Sequence, residues 1–178
     1  PARRRTLAIL YQQLGQLYRE TSNYSAAVNT FEEMLRLGPE EDRRARVMII
    51  ETHRQARDIP KALDAARKAL ETYPKDRPIR VTQALLYGAN AQTDQAAALL
   101  RELLDGSAAD LEIQLDLAQV YEQGKRWAEA EQAVHAAEKV APESSGKEMT
   151  SFMMGAIFER QKKFDLAEQL FRKVLDSN

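Results

Sequence analysis

Residues 8–39 read AILYQQLGQLYRETSNYSAAVNTFEEMLRLGP, and this stretch decides the fold. Gly15 and Ala27 are the small residues of two successive helical segments, where two backbones can approach closely. Tyr11, Leu14, Tyr18, Tyr24 and Phe31 are bulky residues spaced to fill the volume around that approach. Asn23 breaks the helical run between the segments, and Gly38-Pro39 ends the second one. The stretch therefore predicts a helical hairpin whose core is too small to stand alone.

The hairpin recurs. Ala27 is followed by Ala62, Ala96, Ala130 and Ala167, at steps of 35, 34, 34 and 37 residues. The proline slot holds Pro39, Pro74 and Pro142, with Ala108 in the third unit. The second unit departs furthest, with Ile49-Ile50 and His53 in the first helix and Ala66 at the Phe31 slot. The third carries Ala84, Tyr87 and Leu100, and the fourth Leu117-Ala118, Tyr121, Trp127 and Val134. The fifth carries Met154-Gly155, Phe158, Phe164 and Phe171.

The pattern Tyr11-x2-Leu14-Gly15-x2-Tyr18, Ala27-x3-Phe31, Pro39 resembles the tetratricopeptide repeat, with Tyr11 where that family usually carries Trp. The resemblance covers nearly the whole chain. It implies an all-α fold, a right-handed superhelical solenoid of five stacked helix-turn-helix hairpins over residues 1–178 as one array. The repeats fall near 8–41, 43–76, 77–110, 111–144 and 148–178. Ten helices are expected near 6–21, 24–37, 41–57, 60–73, 77–90, 93–105, 109–123, 126–140, 146–161 and 163–176. Ser25 and Asp94 sit in opening turns, Pro60 and Pro78 open helices, and Gly106 is expected to close the sixth helix. Glu143 to Lys147 carries the three extra residues of the last step, which predicts a longer connection there. The chain starts at Pro1 and stops at Asn178, where another turn is due, and reads as a segment of a longer protein.

The 178 residues carry a formal net charge of -1, 44% hydrophobic and 30% charged residues, and no cysteine. Seven Gly and six Pro leave little material for long loops. Without cysteine there is no disulfide framework and no thiolate metal site. No apolar run reaches the roughly 18 residues of a membrane span, and nothing in the sequence assigns a compartment. The two histidines lie in different units: His53 takes the slot of Tyr18, Tyr87, Tyr121 and Phe158, as a core filler, and His135 is expected in solvent. No carboxylate pair is held beside a histidine and no glycine loop cradles phosphate, so the chain reads as non-enzymatic, with no cofactor and no metal.

Charge is uneven along the chain. Arg43 to Asp76 holds nine basic against five acidic residues, and Leu111 to Ser144 three against seven. Arg3-Arg4-Arg5 and Arg43-Arg44-x-Arg46 are not interleaved with aromatics, so no nucleic-acid partner is expected. Within the resemblance, the first helix of each pair lines a concave wall. That wall would present Gln12, Gln13, Gln16 and Arg19, then Val47, Met48 and Glu51, then Val81, Thr82 and Leu85. Further along it would present Glu112, Leu115, Asp116 and Gln119, then Met149, Phe152, Met153 and Ala156. These apolar side chains either bind a ligand or are buried by curvature between neighbouring units. Some family members clamp a peptide's terminal carboxylate with Lys, Asn and Arg on this wall. The matching positions here hold Gln12, Gln16, Met48, Pro78 and Thr82, so that clamp is not expected.

The function expected is a non-catalytic interaction module that binds a peptide segment or partner protein along the wall. A self-assembly or spacer segment is the alternative, and a docking arm of an enzyme whose catalytic domain lies elsewhere is the third. Phe171, Val174 and Leu175 form an apolar edge on the last helix, with Leu10 and Leu17 at the front, which predicts end-to-end self-association.

Overall fold

The computed structural model describes residues 2–141 and 145–176. Among them are ten helices: α1 (Ala2–Glu20), α2 (Tyr24–Leu35), α3 (Pro39–Gln55), α4 (Ile59–Thr72), α5 (Arg77–Ala89), α6 (Thr93–Arg101), α7 (Asp110–Gln123), α8 (Trp127–Val140), α9 (Ser145–Arg160) and α10 (Phe164–Leu175). The chain is all-α, built of helical hairpins of the solenoid class. It divides into two compact units, residues 1–86 and 87–178, with the division inside α5. In the first unit α1 to α4 pack in sequence, and in the second α6 to α10 do the same.

Every hairpin closes in the same way. Ser22, Arg57, Ala91, Lys125 and Lys162 each adopt a left-handed conformation, with φ between 58° and 62°. They recur at the same steps as the alanine slot. The next residue's N–H reaches back to the carbonyl five positions earlier: Asn23 to Tyr18, Asp58 to His53, Gln92 to Tyr87, Arg126 to Tyr121 and Lys163 to Phe158, at 2.8–3.0 Å. The left-handed residue's own N–H bonds the carbonyl three back, completing a Schellman closure. That following residue is also the N-cap of the second helix. Asn23 and Asp58 add a side-chain cap, their Oδ1 accepting from Ala26 N and Lys61 N.

Cores form where a small residue faces a large one. A Cβ placed on Gly15 would lie 2.3 Å from the Phe31 ring, and one on Gly155 2.6 Å from the Phe171 ring. In the second hairpin the sizes are exchanged, with Ile50 and Ala66 in one buried cluster. In the fourth, Ala118 and Val134 are both fully buried. The apparent departure of the second unit is thus a volume-conserving swap.

Several boundaries differ from the sequence reading. α1 starts at Ala2, because Arg3 to Thr6 are compatible with helix and nothing before Leu7 stops it. α6 ends at Arg101, and Gly106 (φ +82°) stands beyond it in a loop, so it does not close the helix. That loop is held by the buried Asp110 carboxylate, which accepts from Asp105 N (3.1 Å) and Gly106 N (2.8 Å). Residues 145–147 of the expected long connection are the first turn of α9, while Pro142 and residues 143–144 lie outside the described residues. Asp76 opens α5, its Oδ1 accepting from Ile79 N while it pairs with Arg43.

Candidate functional site

In the first unit Gln16 is exposed and bonded to its own helix, Nε2 donating to Glu20 at 3.2 Å. Gln12 is half-buried. Arg19 donates from Nε to Gln55 Oε1 at 2.9 Å, tying α1 to α3. Val47 packs against the cluster of Ile50, Ala62, Ala66 and Ile79, and Met48 against Ala8, Met34 and Ala45. Glu51 pairs with Arg54 at 2.6 Å, and Val81 and Leu85 are half-buried on α5. Among these residues packing dominates, and little apolar surface is offered.

The second unit is different. α7 is deeply packed, with Leu111, Ile113, Leu115, Leu117, Ala118 and Val120 buried. Leu115, expected on the wall, is only 9% exposed and sits in a cluster with Leu111 and Ala137. It is a core residue, because α9 lies against α7 and Met153 covers it. Asp116 and Glu112 are carboxylates of this helix one turn apart, and Gln119 beyond them is exposed. Asp116 is half-buried, and burial, with the Glu112 charge as the lesser cause, pushes its carboxyl up to about 6. On α9, Met149 is 47% and Phe152 59% exposed. The unit thus carries an exposed aromatic and a flexible thioether on α9 and two carboxyl groups on the adjoining α7.

Phe152 also touches the other predicted surface. Its ring lies 5.9 Å from that of Phe171 at 46°, so the apolar edge of α10 continues into the α9 wall. On that edge Phe171 and Val174 are half-buried and Leu175 is 74% exposed. At the front of the first unit Leu10 and Leu17 are exposed on α1, with Leu14 between them. The sequence reading missed how deep Asp116 lies. The signal was available: Asp116 stands between Leu115 and Leu117, both buried.

His53 is half-buried as expected of a filler, and burial pushes its pKa below the ordinary value. His135 is exposed, its Nδ1 3.0 Å from Glu138. Among the described residues no group of three or more His, Asp or Glu could hold a metal. No described helix is long and apolar enough to cross a membrane.

Hairpins of one period, one closure and one core logic define a helical-repeat protein. Two models of the tetratricopeptide repeat match, over residues 13–77 and 89–147, and the chain belongs to that family. No curated protein sequence matches it. Among solved structures it is similar to MamA (residue 41 to the end) from Desulfovibrio magneticus RS-1, at 17% identity and a TM-score of 0.69 over 96% of this chain and 94% of that one. A tetratricopeptide repeat protein from Parabacteroides merdae aligns at 18% identity and a TM-score of 0.71, over 96% of this chain and 65% of that one. At these identities the likeness is one of fold.

Proposed function

We propose that the chain is a non-catalytic protein-interaction scaffold, and that the α7–α9 wall of its second unit captures a segment pairing a bulky apolar residue with Lys or Arg. The observation that carries this reading is the exposure of Phe152 and Met149 on α9, the helix that packs against α7 and its half-buried Asp116 carboxyl. An ionisable group kept against its solvation preference, next to an apolar surface, is arranged for a cationic partner. Burying Phe152 and Met149 against a ligand contributes about 1.5–3 kcal/mol each before ordering costs. A bound ammonium or guanidinium near Asp116 restores its ionised form and adds a salt-sensitive contribution.

The test is fluorescence anisotropy with the peptide acetyl-Lys-Leu-Arg-Phe-Leu-Lys-amide on wild type, Phe152→Asp and the exposed α8 control Gln132→Lys. Phe152→Asp is expected to weaken binding at least tenfold with its helical circular dichroism intact, and Gln132→Lys to leave it unchanged. Equal binding by a folded Phe152→Asp variant places the site elsewhere.

A second reading rests on the Phe152–Phe171 contact. The aromatic pair and Leu175 make a continuous apolar edge that a second copy of the chain would cover in end-to-end self-association. Light scattering separates the two: self-association gives a mass that rises with concentration and is abolished by Leu175→Asp.

A further inference from the structure

We propose that the groove between α2 and α4, floored by α3 in the first unit, is a second docking site, taking an acidic partner peptide that inserts one bulky apolar side chain. The groove encloses about 400 Å³, within the usual range of ligand sites. Leu35, Ile49 and Ala65 form its apolar floor, and His53 lines it beside them. Lys61 and Lys68 stand exposed on its α4 side, with Arg46 contributed by α3 and Glu32 by α2.

The second unit shows what normally fills this place. The left-handed residues Arg57 and Lys125 are 68 positions apart, and the same step carries Ile49 to Leu117, His53 to Tyr121 and Ala65 to Ala133. Leu117 and Tyr121 are each only 3% exposed. The Tyr121 ring lies under two guanidinium groups, Arg101 at 5.6 Å and Arg126 at 5.0 Å, and Arg101 also donates to its hydroxyl. By the matching step of 69 from Ser22 to Ala91, Arg101 corresponds to Glu32, and Asp58 takes the place of Arg126. An imidazole replaces the phenol, no guanidinium is supplied from those two positions, and Ile49 and His53 remain half-exposed. The chain leaves open in one unit the space it fills with its own side chains in the other.

The charge around the opening selects the partner. Lys61 pairs with Asp58 at 2.8 Å and Lys68 with Asp64 at 2.7 Å, and Arg46 pairs with Asp42. The two lysine pairs are exposed and weak and exchange readily for a ligand carboxylate, whereas the Arg46–Asp42 pair is part-buried and stays in place. The stretch from Arg43 to Asp76 that builds the floor and the α4 side has nine basic and five acidic residues. Burial keeps His53 neutral at pH 7, with Glu32, Asp58, Lys61 and Asp64 as the charges around it, so its ring offers an apolar face for stacking. The ligand charge is opposite to that preferred by the α7–α9 wall, and the two sites share no residue.

The experiment is amide-shift mapping of the whole chain at pH 7 and low salt, with acetyl-Glu-Asp-Phe-Leu-Glu-Asp-amide as probe and its lysine-for-acid counterpart as control. The acidic peptide is expected to bind at least tenfold more tightly than the basic one at this site, moving the amides of Ile49, His53 and Ala65. Ala65→Leu fills the floor; Leu99 and Leu170 occupy the matching positions of other hairpins, so the backbone accepts leucine there. It is expected to weaken the acidic probe tenfold or more without lowering Tm. Should Ala65→Leu not fold, Lys61→Glu with Lys68→Glu serves instead and is expected to weaken it about tenfold. Shifts confined to other residues, equal binding of the basic peptide here, or unchanged affinity in a folded variant overturns the proposal. Phe152→Asp leaves this binding intact, so failure at one site is distinguishable from failure at the other.

Discussion

Gly15 has no room for a methyl group. With Phe31 only 2.3 Å from where its Cβ would sit, Gly15→Ala forces the ring out of place and is expected to cost about 1–3 kcal/mol, read as a fall in Tm. Combined with Phe31→Leu, the double variant is expected to cost less than the sum of the two singles, which a double-mutant cycle measures. The glycine was legible as a close-approach site from the sequence. Its exchange for Ile50 with Ala66 was not, because the compensation appears only when the two slots are read as one volume. Asp116 makes the second prediction at this scale. Its folded pKa, about 6, is above the ordinary carboxylate value, so between pH 4 and 6 the folded state holds more protons than the unfolded chain. Stability from this group is therefore present at low pH and lost as pH rises through 6. Asp116→Asn is expected to have a higher Tm than wild type at pH 7.5, with the difference shrinking towards pH 4, while binding the basic probe more weakly.

At the scale of the element, the five hairpin turns share one defect. Each places a residue with a Cβ in the left-handed region where glycine is usual. The backbone penalty is about 1–2 kcal/mol per residue before the chain entropy of glycine is counted. Ala91→Gly is expected to raise stability by about 0.5–1 kcal/mol by denaturant titration, once that entropy is set against the relieved strain. A fall in stability would mean the Ala91 side chain makes contacts that matter. The turns were legible from composition at Asn23, 90–93 and 123–125, but the closure was not, since no glycine marks the position. The N-caps divide similarly: Asn23 bonds its helix through its side chain, whereas Ser25 and Asp94, read as opening-turn residues, follow the caps Asn23 and Gln92. Asp76 joins a cap to an ion pair, and Arg43 holds its carboxyl below the usual range. Its contribution is present at neutral pH and lost as pH falls below about 4, so Asp76→Ala is expected to lower Tm at pH 7 and much less at pH 3.

The whole molecule carries its chemistry on two units of opposite local charge. The period of the hairpins was visible in the alanine steps, and the resemblance carried by the motif residues from Tyr11 to Pro39 implied the family and the architecture. The wall was only half legible, because the pattern names which positions face inward but not how closely the next helix covers them. Val47, Met48 and Leu115 went into packing for that reason, while Met149 and Phe152 stayed open. The central claim is that this remaining wall reads a cation next to an apolar anchor. A display selection of random twelve-residue peptides on wild type, counter-screened on Phe152→Asp and Asp116→Asn, tests it most directly. The expected result is an enriched class that pairs Lys or Arg with a bulky apolar residue, loses binding to both variants and weakens with salt. Winners that lack a basic residue, or that bind a folded Phe152→Asp variant as well as wild type, would contradict it.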